Sequence, residues 1–374
     1  MGCQNRIVKM NRRRFIAAMS WLTFFGAGRA RADQPLVARI RERHDVPALA
    51  GMIVTPEGHD FLEVAGVRRA GAADVVTPGD LWHLGSNGKA ITAALYARLV
   101  EAGRASWGAT VADMFPGRQI HAGWTGTTIE DFLSHHGGVS DAALDGVWLR
   151  AAHSDVRPLP VQRAAIVESI LTNRPSQARG KHVYANANYV IAGAAIERLT
   201  GMNWEEAMRM HLFAPLGMTS AGFGAPKDAS PWGHTTGLFG FGALAPVDPV
   251  DRADNPPVLG PAGTMHMSLL DYAKFLRMFM GGAGPHLTAG SVSRLTKPRS
   301  DGDQSYALGW ITFRSRPWAR GQALAHEGSN TLWHTFTAVG PARGRAVVAV
   351  CNAHRGGGAA AAQNLALALV KQLG

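Results

Sequence analysis

The chain has 374 residues, 46% hydrophobic and 17% charged, with only two cysteines. That balance excludes a disordered protein and describes one large α/β unit or two to three smaller domains. Its formal charge of +11 shrinks once located: residues 1–32 hold seven Lys/Arg and no acids, leaving 31 basic against 27 acidic residues and no basic run. Nucleic-acid binding is therefore not expected.

Residues 1–32 read as an export leader. Arg12-Arg13-Arg14 precedes an apolar run over 15–27, and Ala30-Arg31-Ala32 supplies an A-x-A cleavage pattern. The run is too short to cross a bilayer as a helix. The expectation is a twin-arginine-type signal peptide, a periplasmic destination and no stable membrane span after cleavage, with residues 33–374 as a single mature domain. Cys3 would leave with the leader. Cys351 then stands alone in an apolar strand-like run, a small buried hydrophobe with no disulfide partner.

Residues 47–54 and 61–67 have strand character and are joined through Pro56-Glu57-Gly58 as a hairpin. Helical periodicity begins at Ser86: Ile91, Leu95, Leu99 and Val100 mark one apolar face, and Gly103 stops it. Lys89 lies one turn after Ser86, so its amine can reach the serine hydroxyl. A serine becomes a useful nucleophile when a neighbouring base takes its proton. Partial burial and the positive end of the helix dipole both push a lysine pKa down toward that role. Ser86–Lys89 is the one S-x-x-K in the chain, and four residues need context.

Thr127-Thr128-Ile129-Glu130 reads as a capping box opening a short helix that runs into Leu133–Gly138. A helical run over 163–173 follows Pro160. Tyr184-Ala185-Asn186 leads into an apolar helix over 188–200 ended by Gly201, and Asn203 caps another. Residues 214–263, dense in Gly and Pro, read as a functional rim. Ser268 caps a helix reaching Met280. Strands follow at 306–313, 323–326, 331–339 and 345–352, and a helix over 358–373 closes the chain. The expected fold is α/β (α+β): an antiparallel sheet built from both chain ends and flanked by helices, with a mostly helical second region. The sheet region takes about 33–80 plus 300–374, the helical region about 86–290. No His/Cys cluster has metal-ligand spacing, and His326-Glu327 lacks the second His of H-E-x-x-H, so neither metal nor organic cofactor is expected.

From about residue 36 onward the chain resembles the serine β-lactamase / penicillin-binding-protein superfamily, and within it the class C-like, β-lactamase-related serine hydrolases of the esterase-like branch. Ser86-Asn87-Gly88-Lys89 matches the first motif, Tyr184-Ala185-Asn186 the second (Y-x-N), and His326-Glu327-Gly328 stands where K-T-G is expected. LSHHGG (133–138), GPAGT (260–264) and YALGW (306–310) match as well. The resemblance implies a β-lactamase/transpeptidase-like fold in which Ser86 forms an acyl-enzyme and Lys89 and Tyr184 act as general base and acid. It implies that Lys89 favours a tyrosinate at Tyr184, the two titrating as a coupled pair. Asn186 would hydrogen-bond Lys89 and a substrate amide. Past Gly328, the Ser329 N–H would join that of Ser86 in an oxyanion hole.

The departure is His326, largely neutral at pH 7 where the family offers a lysine. It weakens the expectation of an efficient penicillinase or D-Ala carboxypeptidase and favours a short ester or small amide. The substrate class is thus a small-molecule ester, amide or β-lactam, or a D-amino-acid peptide. The alternative is a penicillin-binding-like sensor or scaffold without turnover. His266 is expected to be structural; Trp232, Trp310 and Trp333 either line an acyl pocket or pack in the core.

Overall fold

The computed structural model describes residues 34–374 apart from 145, 228, 238–241, 252 and 281–285, so the expected leader over 1–32 lies outside the described residues. The compact unit Leu36–Gly374 opens with helix α1 (Leu36–Arg43) and strands β1 (Ala48–Val54) and β2 (His59–Gly66). Strand β3 (Leu81–His83), a 3-10 turn at Gly85–Asn87 and helix α2 (Gly88–Glu101) follow. The helical region continues through α3 (Val111–Met114), α4 (Ile129–Leu133), α5 (Gly146–Ala152), α6 (Leu159–Leu171), α7 (Asn186–Thr200) and α8 (Trp204–Met208). Short strands β4 (Gly222–Phe223), β5 (His234–Thr235) and β6 (Ala245–Pro246) lead to α9 (Gly260–Gly263) and β7 (Met265–Ser268). Helices α10 (Leu269–Arg277) and α11 (Ala289–Thr296) precede β8 (Gln304–Tyr306), β9 (Ile311–Arg316), β10 (Gly321–Ser329), β11 (His334–Gly340) and β12 (Arg345–Cys351). Helix α12 (Gly358–Gln372) comes last.

The main sheet runs β2-β1-β12-β11-β10-β9-β8, and each neighbouring pair is antiparallel. Both chain ends therefore build one sheet, as the order of strand signals predicts. Leu49 lies opposite Cys351 and Val54 opposite Ala346. The period of two then sorts side chains to two faces. Leu49, Ile53, Val347 and Cys351 pack with Leu365 and Leu369 of α12 and Val37 and Ile40 of α1. Ala50, Met52, Val348 and Val350 pack toward the helical region. Gly51 lets α12 pack closely on β1: a Cβ there would sit 2.8 Å from Leu365 Cδ2. Burying one such leucine stabilises the fold by about 1.5–3 kcal/mol. Cys351 is fully buried, and loss of water pushes its thiol up to about 12.

Three local expectations are revised. Helix α2 does not show a single apolar face: 11 of its 14 residues are buried, because it runs through the centre of the core and its many alanines allow close approach on every side. The capping box of α4 is Thr128 with Asp131, one position beyond Thr127 and Glu130; Glu130 instead holds Arg294 and Arg299. The single strand expected over 306–313 is two, β8 and β9. The break falls at Gly309, φ +83°, where a Cβ would lie 2.6 Å from Ala90 Cα; this turn packs directly on the start of α2. No helix among the described residues is long and apolar enough to cross a membrane.

Candidate active site

Ser86 sits on the 3-10 turn between β3 and α2. Lys89 Nζ lies 3.0 Å from Ser86 Oγ, 2.9 Å from Asn186 Oδ1 and 2.7 Å from the Ala262 carbonyl oxygen. Its side chain is fully buried, and the lost hydration pulls its pKa down to about 7, with Asp141 pulling weakly the other way. As a neutral amine it has two hydrogens, which satisfy Asn186 and Ala262, and one lone pair, which faces the Ser86 hydroxyl.

Removal from water pushes the Tyr184 phenol pKa up, with the nearby Ser86 side chain pulling the other way. Lys89 Nζ is 4.9 Å from the centre of the Tyr184 ring. The expected tyrosinate is thus not supported: the same burial that makes the amine easy to deprotonate makes the phenol hard to. Asn186 is the first residue of α7. Its Oδ1 accepts from Lys89, while its Nδ2 donates to Asp141 Oδ2 at 3.2 Å. Asp141 also accepts the backbone N–H groups of Asn186 at 2.9 Å and Ala187 at 3.0 Å, satisfying free donors at the start of α7. These bonds use one Nδ2 hydrogen and one Oδ1 lone pair of Asn186, which leaves a second donor and a second acceptor for the expected contact with a substrate amide. Nothing in the sequence marked Asp141, which lies in an aperiodic loop 45 residues from its partner.

His326 is 3% exposed. Its Nδ1 lies 2.7 Å from the Glu327 carbonyl oxygen, which can only accept, so Nδ1 carries the proton. Nε2 then accepts from the Tyr306 hydroxyl at 2.9 Å. Burial first, then the neighbouring Lys89, lowers the His326 pKa to about 3. The imidazole is neutral with both nitrogens engaged, a firmer neutrality than its ordinary pKa implies. His135, at φ +62°, is likewise buried and held neutral, its ring 4.3 Å from Tyr184 and 4.7 Å from Tyr306.

The third motif meets the first through backbone. A Cβ on Gly328 would fall 2.0 Å from the Leu84 carbonyl oxygen and 2.7 Å from the Ser86 nitrogen, and one on Gly85 would fall 2.3 Å from the Ser329 nitrogen. Only glycine at both positions lets β10 lie against the turn and bring the Ser86 and Ser329 amides side by side. The Ser329 hydroxyl is turned away, donating to the Trp333 carbonyl at 2.7 Å. Tyr184 and His326 complete the ring of residues, their centroids 6.4 Å apart. Ser86, Lys89, Tyr184, Asn186, His326, Gly328 and Ser329 thus come together from three separate stretches of chain. His266 bonds the Gly224 carbonyl at 2.8 Å, a structural contact. Trp310 and Trp333 are fully buried, and Trp232 lies beneath the Arg69 guanidinium at 4.9 Å. Among the described residues, no group of three or more His, Cys, Asp or Glu is placed to hold a metal ion.

A family model described as Beta-lactamase matches residues 34–372. The chain is 26% identical over 329 residues to penicillin-binding protein 4 of Amycolatopsis lactamdurans, covering 82% of this chain and 80% of that one. It is 28% identical over 295 residues to the unguisins hydrolase ungD' of Aspergillus campestris, covering 74% of this chain but only 53%, about half, of that relative. Among solved structures, a penicillin-binding protein homologue from Pyrococcus abyssi has a TM-score of 0.72 at 21% identity, over 90% of this chain and 76% of that one. A D-stereospecific amidohydrolase from Streptomyces has a TM-score of 0.67 at 20% identity, over 85% of this chain and 93% of that one. At these identities the two structures show a common fold.

Proposed function

We propose the following chemistry for a chain that belongs to the beta-lactamase family and is a serine hydrolase: Ser86 is the nucleophile, and neutral Lys89 is the base that activates it. The observation that carries this reading is the buried Lys89 amine 3.0 Å from Ser86 Oγ with its pKa at about 7, where a general base is most effective at neutral pH. Lys89 takes the hydroxyl proton as Oγ adds to the acyl carbon. The carbonyl electron pair moves to oxygen, where the Ser86 and Ser329 N–H groups receive it. Collapse expels the leaving group, which takes the Tyr184 proton, and the Lys89 ammonium returns a proton to Tyr184. Water then repeats the sequence on the acyl-enzyme, leaving product acid and free Ser86.

The substrate in this reading is an ester or amide with no carboxylate beside the reacting carbonyl. His326 is neutral and has no free N–H to offer one. Relatives named as an unguisins hydrolase and a D-stereospecific amidohydrolase support an amide within that class. Export by the twin-arginine route, from Arg12–Arg14 and the A-x-A pattern, belongs to the same reading. Intact mass after a fluorophosphonate or a penicillin, on wild type and Ser86→Ala, tests it. The expected result is a fluorophosphonate adduct on wild type and none on the variant. No adduct on wild type with either probe removes Ser86 as nucleophile, and a permanent penicillin adduct without ester turnover makes the protein a sensor.

A further inference from the structure

The proposed oxyanion hole depends on two backbone amides, so whatever holds those backbones sets how well it works. Behind Gly85 lies His83, whose side chain is fully buried and stacked on Trp333, ring centres 5.5 Å apart. The Gly85 N–H donates to His83 Nδ1 at 3.1 Å, which fixes the neutral tautomer with its proton on Nε2. That Nε2 donates to Asp254 Oδ2 at 2.9 Å. The second carboxylate oxygen accepts from Asn330 Nδ2 at 2.9 Å. Asn330 in turn accepts the backbone N–H groups of Leu332 at 3.1 Å and Trp333 at 3.2 Å, shaping the turn that follows Ser329. Asp254 is 8% exposed and comes from the Gly/Pro-rich stretch over 214–263.

We infer that Asp254 is a positioning residue that clamps both walls of the oxyanion hole, one through His83 and Gly85 to Ser86, the other through Asn330 to Ser329. The clamp rests on the serine hydrolase reading for its consequence but not for its geometry. Gly85 is held at φ +52°, a conformation that aims the next peptide unit, and the His83 acceptor is the side-chain contact that fixes its N–H. This gives part of the irregular 214–263 stretch a definite task that no motif in the sequence marked.

Asp254→Asn tests the clamp because an amide cannot serve both arms. If its Nδ2 turns to His83, the imidazole must accept there, its proton moves to Nδ1 and opposes the Gly85 N–H. If its Nδ2 turns to Asn330, two NH₂ groups face each other. The expected result on p-nitrophenyl ester hydrolysis is a fall in kcat of about 10- to 100-fold, below the 10²–10³ for deleting a donor outright, with KM within about twofold. Amide hydrogen exchange should quicken in peptides covering 83–88 and 328–333 and nowhere else. Asn330→Ala, which breaks the second arm alone, should quicken 328–333 and lower kcat less. Unchanged exchange in both segments, or faster exchange spread through the whole chain of either variant, overturns the clamp. If wild type proves to have no Ser86-dependent turnover, the exchange pattern still decides the clamp while the hydrolase reading falls separately.

Discussion

Replacing Lys89 with methionine removes the proposed base and, with it, a titration that the fold makes conspicuous. Lys89 is fully buried with a pKa near 7 against the ordinary lysine value of 10.5. Between those two values the unfolded chain binds a proton that the native chain does not, so stability rises with pH across that window. Each pH unit contributes at most about 1.4 kcal/mol. Allowing for half-protonation at pH 7, wild type should gain about 2 kcal/mol from pH 7 to pH 9 through this one group. Urea unfolding of wild type and Lys89→Met at both pH values isolates it, because other titrations cancel in the difference. Methionine leaves Asn186 Oδ1 and the Ala262 carbonyl without their donor, so the variant's absolute stability shifts too; the pH difference does not depend on that shift. In parallel, ester turnover should fall about 10²- to 10⁴-fold, and the wild-type kcat/KM profile should rise through an apparent pKa near 7. Parallel stability curves for the two proteins would refute the reasoning, since Lys89 would then keep its ordinary pKa and stay an ammonium at neutral pH.

Asn186→Asp puts a carboxylate where an amide now touches Lys89 at 2.9 Å. It should raise the lysine pKa by roughly 1–3 and carry the rising limb of the pH–rate profile with it; a limb that stays put counts against Lys89 as the titrating base. Gly328→Ala drives a methyl to 2.0 Å from the Leu84 oxygen, forcing β10 off the turn. Turnover should drop about 10²- to 10³-fold with circular dichroism retained, and wild-type kinetics in this variant would remove Ser329 from the hole. His326→Lys should move preference toward carboxylate-bearing substrates, and an unchanged ratio of ester to β-lactam turnover would deny position 326 a part in selection.

The sheet was legible because strand signals stood at both chain ends and period-two patterning survives burial on either face. Ser86, Lys89, Tyr184 and Asn186 were legible because each pair is close in sequence, the first across the 3-10 turn into α2 and the second across the entry to α7. What escaped has a common physical character. Asp141, Tyr306, His83 and Asp254 act across 20 to 171 residues of sequence, and hydrogen bonds between such distant stretches leave no period to read. The all-round burial of α2 escaped for another reason: alanine is compatible with a packed face and a solvated one alike. The YALGW stretch misled because Gly309 lies inside an otherwise perfect apolar run, and only contact with Ala90 requires its positive φ.

The site's chemistry follows from what surrounds Lys89 more than from Lys89 itself. Asp141 is the nearby carboxylate that raises its pKa, and Asn186 stands between them, donating to one and accepting from the other. A carboxylate in direct contact would hold the amine as an ammonium, useless as a base. His135 and His326 are both neutral through burial, and Tyr184 keeps its proton. The pocket therefore presents Lys89 with dipoles in place of counter-ions, and loss of water then suffices to bring its pKa to the working range. A lysine at position 326 would add a second cation to this pocket, favouring an anionic substrate and depressing Lys89 further. Histidine there removes that cation. The substitution that makes the third motif look incomplete is in this sense consistent with the first: both suit a neutral acyl group meeting a neutral amine.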